Sequence, residues 1–181
     1  MNIPFSPPDI TDEEIEEVVS ALKSGWITTG PKTKEFEKRI TAYCGSDNTV
    51  CLSAATTALE MTLRLLGIGE GDEVIVPAYT YTATCSVVCH VGATPVIIDS
   101  QEDREEMDYD KLSEAITDKT KVIIPVDIAG ILCDYDKLFE IIENKVDINK
   151  EKIHIDRGYP EEQNKINEAR VEVNLDVHNP L

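Results

Sequence analysis

A run of small and hydroxylated side chains, 53–57, stands where a strand is predicted to meet a helix. The β-branched run Thr49 to Leu52 predicts a buried strand, and apolar residues at helical spacing from Ala58 predict the helix. Small side chains let a ligand approach the backbone, and the first amides of a helix have no partner within it and attract anions. The segment therefore predicts a site for a phosphorylated small molecule at Ala55–Thr57.

Two interpretations of this segment stay open on the residues alone. In the first, backbone amides and the Thr56 hydroxyl bind a phosphate. In the second, the segment is a tight connection in which a threonine caps the helix.

Two tyrosines, Tyr79 and Tyr81, follow the predicted strand Glu73–Val76, which Pro77 ends. Ligands of open α/β sheets bind beyond the carboxyl ends of the strands, and an aromatic ring there could stack on a planar ligand. The alternative is that both rings pack at the edge of the sheet, and these residues alone favour packing.

Two aspartates also follow predicted strands. Asp99 comes after Pro95–Ile98, and Asp127 comes after Pro125-Val126. Each carboxylate could face the same crevice as the tyrosines, or it could serve a turn or cap a helix.

The sequence contains none of the common catalytic motifs. It has no dinucleotide-binding glycine motif, no phosphate-binding loop with Gly-Lys-Ser and no nucleophile elbow, and its three histidines (His90, His154 and His178) stand in no triad-like setting. Cys85 and Cys89 lie four apart beside His90, but their apolar neighbours favour buried reduced thiols over metal ligands. We therefore predict no catalytic residue and no metal site.

Composition limits the possible partners and location. A net charge of -18 over 181 residues argues against binding to nucleic acid or to an anionic membrane. No apolar run is long enough to cross a bilayer, and the first eight residues have no signal-peptide pattern. Five cysteines, an odd number, favour the reducing cytoplasm.

The elements that position these residues alternate between helices and strands, which predicts βαβ units and a largely parallel sheet covered on both faces. A capping box at Thr11 and Glu14 begins the first predicted helix, which ends at Gly25, and a second helix ends at Gly45. We expect one domain, without internal repeats, and a poorly specified tail after residue 145. The remaining predicted elements are strands at 73–76, 94–99 and 121–126, helices at 82–90, about 112–116 and 135–144, and one tail strand at Val171–Leu175.

Several segments, taken in order, resemble the DegT/DnrJ/StrS-type sugar aminotransferases, which use pyridoxal phosphate (PLP). The ordered set is much more specific than any one motif. The matching segments are Gly25–Pro31, Phe36-Glu37, Ala55–Leu59, Gly71–Tyr81, Gly92–Val96, Thr120–Val126 and Gly130.

The resemblance implies a fold, a cofactor and partners. The fold is α-β-α with a mostly parallel sheet, part of the large domain of a fold type I PLP-dependent transferase that works as a homodimer. Ala55 and Thr56 match the step that binds the cofactor phosphate, and Tyr81 matches the aromatic residue against the pyridine ring. The loop Trp26–Gly30 matches one that borders the substrate site near the dimer interface. Family members move an amino group from glutamate to a nucleotide-linked keto-sugar, and some relatives dehydrate the sugar instead.

The sequence departs from the family after residue 145. The aspartate that pairs with the pyridine nitrogen is matched only faintly, by Asp176, and the Schiff-base lysine has no match, since Lys145, Lys150, Lys152 and Lys165 stand in polar segments. We therefore expect residues 1–145 to be the N-terminal part of the large domain, residues 146–181 to be a tail, and the chain to be truncated or degenerate and inactive alone. The alternatives are a non-catalytic binding or oligomerisation module, and an unrelated doubly wound domain with another phosphorylated ligand.

Overall fold

The computed structural model describes residues 8–145, which form two compact units that divide between Cys51 and Leu52. Within these residues, the first unit contains two helices, and the second contains four helices and a three-stranded sheet. The elements are α1 (Asp12–Ser24), α2 (Pro31–Cys44), α3 (Ala55–Leu65), β1 (Glu73–Pro77), α4 (Thr82–His90), β2 (Thr94–Ile98), α5 (Tyr109–Ala115), β3 (Thr120–Ile123) and α6 (Tyr135–Lys145).

The two helices of the first unit begin and end where their caps predict. Thr11 and Glu14 form the capping box of α1, and Gly25 ends that helix with a left-handed φ of 76°. Gly45, with φ 64°, ends α2 in the same way. The sequence-based ends of both helices are confirmed.

The sheet is parallel in the order β2-β1-β3, so β1 is its central strand. Glu73 at the start of β1 is paired with Thr94 on one side and with Thr120 on the other. Parallel neighbours require crossover connections, and α4 supplies one of them between β1 and β2. The predicted βαβ units and parallel sheet are confirmed.

Apolar side chains cover both faces of the sheet, which confirms the predicted layers. Along β1 the buried side chains alternate, so that Val74 and Val76 face α3 and α4, whereas Ile75 faces α5 and α6. The cluster on the first face is Leu63, Val74, Val76, Val87, Val88 and Ala93, and the cluster on the second is Ile75, Ile98, Met107, Tyr109, Leu112, Ile123, Leu138 and Ile142.

The predicted strand at Thr49–Leu52 is wrong. The segment is irregular, and Val50 and Leu52 are 73% and 42% exposed. A strand needs a hydrogen-bonded neighbour, and in residues 8–145 the sheet consists of β1, β2 and β3, none of which pairs with this segment. The third predicted strand is shorter than expected, because β3 ends at Ile123 and Pro125 has no amide to donate.

The expectation that Cys85 and Cys89 are buried is wrong, because Cys85 is half-buried and Cys89 is exposed. All five cysteines are free, and of the other three Cys133 is buried, Cys51 half-buried and Cys44 exposed. Helix α4 buries a stripe at Thr84, Val87 and Val88, and Cys89 lies off that stripe.

Several expectations lie outside the described residues. They concern the N-terminal seven residues, the tail at 146–181 with its strand, Asp176, His154, His178 and the lysines at 150, 152 and 165. Within residues 8–145, none of the helices has the length and apolar character that a membrane span requires.

Candidate functional site

The N-termini of α3 and α4 lie at the carboxyl edge of the sheet. Helix α4 leads from the end of β1 to the start of β2, so it must run antiparallel to both strands. Helix α3 leads into the start of β1 and packs against the same face, so its first turn points to the same edge. This edge is where ligands bind in open α/β sheets.

The first turn of α3 has no side-chain cap. Ala54 is the N-cap residue in extended conformation (φ -161°, ψ 157°), and its methyl group cannot accept a hydrogen bond. Thr56 lies one residue inside the helix, so the interpretation of a capping threonine is wrong. Among the described residues, the amides of Ala55, Thr56 and Thr57 have no acceptor.

The uncapped turn is suited to an anion. Three free amides and the positive end of the helix dipole favour a phosphate, and the small, exposed Ala54 and Ala55 leave the approach open. The Thr57 hydroxyl lies 3.2 Å from that of Ser53, whereas no hydrogen bond of the half-buried Thr56 hydroxyl is found within residues 8–145.

The two tyrosines after β1 are exposed. Tyr79 is 57% and Tyr81 78% exposed, so the interpretation that they pack at the edge of the sheet is wrong. Tyr81 is the N-cap residue of α4, and its carbonyl accepts the Thr84 amide at 3.0 Å. Because this contact uses only the backbone of Tyr81, the exposed ring can lie against a planar ligand. An uncapped helix start and an exposed aromatic ring at one sheet edge fit a phosphorylated aromatic cofactor such as PLP.

Asp127 serves its own loop, which confirms the turn interpretation. Its carboxylate accepts the Cys133 amide at 2.9 Å and the Tyr135 hydroxyl at 3.0 and 3.1 Å. Asp99 accepts the following amide, Ser100, and lies 3.6 Å from the Lys111 ammonium.

A surface cavity of about 470 Å³ lies beyond β2, and neither Ala55, Thr56 nor Tyr81 lines it. The Lys111 ammonium lies 3.6 Å from the Asp99 carboxylate and 3.5 Å from that of Asp108, so its positive charge offsets part of their negative charge. Amides of the first turn of α5, that of Lys111 above all, lower the pKa of Asp108, which caps that helix. The cavity is lined by Asp99, Ser100, Gln101, Glu102, Asp108 and Lys111.

A cluster of hydrogen-bonded polar side chains joins α3 to α4, and the sequence analysis missed it. Glu60 lies 2.9 Å from His90 Nδ1 and accepts two bonds from Arg64, at 3.0 and 2.8 Å. Hydrogen bonds from Arg64 and then from His90 lower the pKa of Glu60. The spacing of Glu60 and Arg64 predicts their pairing within the helix, but nothing in the sequence indicates that His90 joins them.

The loop Trp26–Gly30 belongs to the first unit, and Trp26 is 58% exposed, as expected for an irregular loop. The indole lies against the buried Gly30, where a Cβ would stand 3.0 Å from the ring. Its place beside a substrate site stays a prediction. Across residues 8–145, no three His, Cys, Asp or Glu side chains are grouped as metal ligands.

The DegT/DnrJ/EryC1/StrS aminotransferase family matches residues 8–148 of this chain. The chain is 41% identical over 142 residues to the spore coat polysaccharide biosynthesis protein SpsC of Bacillus subtilis, covering 78% of this chain and 36% of that protein. It is 39% identical over 153 residues to the UDP-4-amino-4-deoxy-L-arabinose–oxoglutarate aminotransferase of Shewanella sediminis, covering 84% and 39%.

A solved structure from Streptococcus pneumoniae is also similar. That protein, assigned as a sugar aminotransferase, matches in its PMP form with 67% identity and a TM-score of 0.77, over 80% of this chain and 37% of that one. Its PLP form matches with 62% identity and a TM-score of 0.78, over 87% and 39%. The chain thus spans little more than a third of the length of these relatives. The PMP and PLP forms of the Streptococcus protein indicate that the family uses PLP.

Proposed function

Because the chain belongs to the DegT/DnrJ/EryC1/StrS aminotransferase family, we propose that it supplies part of a PLP site. In this proposal residues 1–145 are the N-terminal part of the large domain, and residues 146–181 are a tail. The observation that carries the proposal is the uncapped first turn of α3, whose three free amides suit a phosphate.

The proposed roles follow from the chemistry of each group. The amides of Ala55 and Thr56 hold the phosphate, and the ring of Tyr81 lies against the pyridine ring and orients it. When bound, PLP supplies an electron sink for the negative charge that develops on a substrate carbon. We assign no proton transfer to residues 8–145.

For the substrate we propose a nucleotide-linked keto-sugar, with glutamate as the amino donor, in the cytoplasm. The name of the Shewanella relative supports this class, since it names a UDP-linked amino sugar and oxoglutarate.

We expect the 181-residue chain to bind PLP without turnover. The midpoint temperature of thermal unfolding should rise with PLP, because a ligand at 100 times its Kd stabilises the folded chain by about 2.7 kcal/mol. It should rise much less with pyridoxal, which lacks the phosphate. Borohydride should not fix the cofactor to one lysine, because no lysine stands in a matching stretch, and glutamate-dependent transfer to a UDP-keto-sugar should be absent.

Three outcomes would contradict this. Stabilisation by a nucleotide but not by PLP would favour an unrelated phosphate-binding domain. Equal shifts with PLP and pyridoxal would contradict a phosphate site at α3. Covalent fixation on one lysine together with turnover would show that the chain is a competent enzyme.

The second candidate is an association module, favoured by the exposed apolar face of α1. Within residues 8–145, α1 and α2 contain no buried residue, and Ile15, Val18 and Leu22 are exposed. Such a face marks an interaction surface. We expect light scattering to give twice the 20.1 kDa chain mass for a homodimer, whereas a monomer at all concentrations would argue against association.

A further inference from the structure

A loop at the carboxyl edge of β3 is held at its base by two carboxylates. This edge loop comprises residues 128–132 and connects β3 to α6 through a short 3₁₀ turn. Asp127, just before it, accepts the Cys133 amide and the Tyr135 hydroxyl, which both follow the loop. One side chain thus ties the two ends of the loop together.

The second carboxylate comes from a different part of the chain. Glu106, only 7% exposed, precedes α5, and its Oε2 accepts the Tyr109 hydroxyl at 2.9 Å and the Asp134 amide at 3.3 Å. The same amide lies 2.7 Å from the Tyr109 oxygen. Glu106 and Tyr109 therefore fix the exit of the edge loop to the loop that follows β2.

Burial strengthens the network around these carboxylates. Burial, with the Asp127 carboxylate nearby, raises the pKa of the Cys133 thiol to about 11, so the thiol stays protonated and donates to the Val126 carbonyl at 3.3 Å. Burial and the bond to Glu106 raise the pKa of Tyr109 as well, so its hydroxyl remains a donor. Only Arg104 offers Glu106 a positive charge among the described residues, and that side chain is mostly exposed.

The edge loop carries backbone strain that such anchoring can maintain. Ala129 has φ 53°, and it is the only non-glycine residue with positive φ in residues 8–145. This conformation is unfavourable for alanine and persists where the surrounding structure imposes it. Strained segments of this kind occur at binding sites, which favours a functional role over a simple connection.

We propose that Glu106 and Asp127 are positioning residues that hold the edge loop in one conformation, as a wall of the ligand site at the carboxyl edge. β3 is paired with β1, whose end leads to Tyr81, so the edge loop follows the strand next to the proposed cofactor residues. A loop that is already ordered has less entropy to lose when a ligand binds. The identity of the ligand as PLP rests on the proposed function.

The test is made on the full chain with Glu106→Ala and Asp127→Ala. Hydrogen exchange followed by mass spectrometry reports on residues 128–134, and a spectroscopic titration reports on PLP affinity. We expect exchange of these amides to accelerate at least tenfold and PLP affinity to fall roughly three- to tenfold, while exchange in the sheet is unchanged. Glu105→Ala is the matched control, because Glu105 is exposed and its carboxylate has no hydrogen bond among the described residues.

Milder variants cover the case in which an alanine variant does not fold. Glu106→Gln retains an acceptor and should behave like the unchanged chain. Tyr135→Phe removes one of the two groups that donate to Asp127, leaves the Cys133 amide in place and should accelerate exchange by a smaller factor. Unchanged exchange in Glu106→Ala and Tyr135→Phe would overturn the proposal, and so would faster exchange with unaltered PLP affinity. If the unchanged chain binds no PLP, the proposed function fails. The hydrogen-exchange measurement alone then supports or overturns the claim that Glu106 and Asp127 hold the edge loop.

Discussion

Replacing Ala54 with aspartate is expected to stabilise α3 and to abolish most of the affinity for PLP. Ala54 is the N-cap residue without a side-chain cap, so an aspartate there would accept the free amides and stabilise the helix by about 1 kcal/mol. The same carboxylate would occupy the amides that we assign to the phosphate and would repel it. Two unit charges 4 Å apart near a protein surface repel by about 4 kcal/mol, so affinity should fall by at least about a hundredfold.

The measurement combines a denaturant titration with a PLP titration on the same variant. Thr62→Asp is the matched control, because it adds the same charge to an exposed position on the same helix, roughly 12 Å further along its axis. The control should leave PLP affinity within about threefold of the unchanged chain, since a charge beyond the Debye length is largely screened. A stabilised Ala54→Asp variant that still binds PLP normally would show that the phosphate lies elsewhere.

Local signals account for most of the fold. The capping box at Thr11 and the glycines that end α1 and α2 act within one helical turn, so the sequence alone places these boundaries. Strands β1 and β2 are also predicted correctly, because each is a short apolar run between turn residues. The run at Thr49–Leu52 is also short and mostly apolar, but the strand predicted there does not form. Residue type indicates a preference for a pleated surface, whereas a strand also needs a neighbouring strand with which to pair.

The candidate site also contains features that the sequence predicts and features that it does not. The free amides at Ala55 and Thr56 follow from the position of a helix start, which sequence periodicity predicts. The exposure of Tyr81 depends on what packs beside it, so the residues alone favoured the wrong interpretation. The contact of His90 with Glu60 joins residues 30 positions apart, and that of Asp134 with Glu106 joins residues 28 apart. Such pairs leave no mark in the spacing, because the crossover topology of the sheet brings them together.

Leu138→Ala is expected to lower the free energy of unfolding by about 2 to 5 kcal/mol, the usual cost of removing a fully buried leucine. Leu138 is 0% exposed and belongs to the cluster that covers one face of the sheet, with Ile75 of β1 and Leu112 of α5. Its loss would leave a cavity between two helices and the central strand, which cannot close without moving the backbone. Urea unfolding, followed by circular dichroism, measures the change in the free energy of unfolding. The slope of that free energy against urea concentration should be the same in the variant and in the unchanged chain.

Leu22→Ala makes the same chemical change on a leucine that is 63% exposed in α1, and it serves as the control. An exposed substitution without a packing role should change stability by less than about 0.5 kcal/mol. A loss below about 1 kcal/mol for Leu138→Ala would mean that the helices over this face do not pack as described. A loss of several kcal/mol for Leu22→Ala would instead show that the apolar face of α1 is covered in solution. Unfolding measured at several protein concentrations would then identify what covers this face, because stability that falls on dilution points to a second copy of the chain.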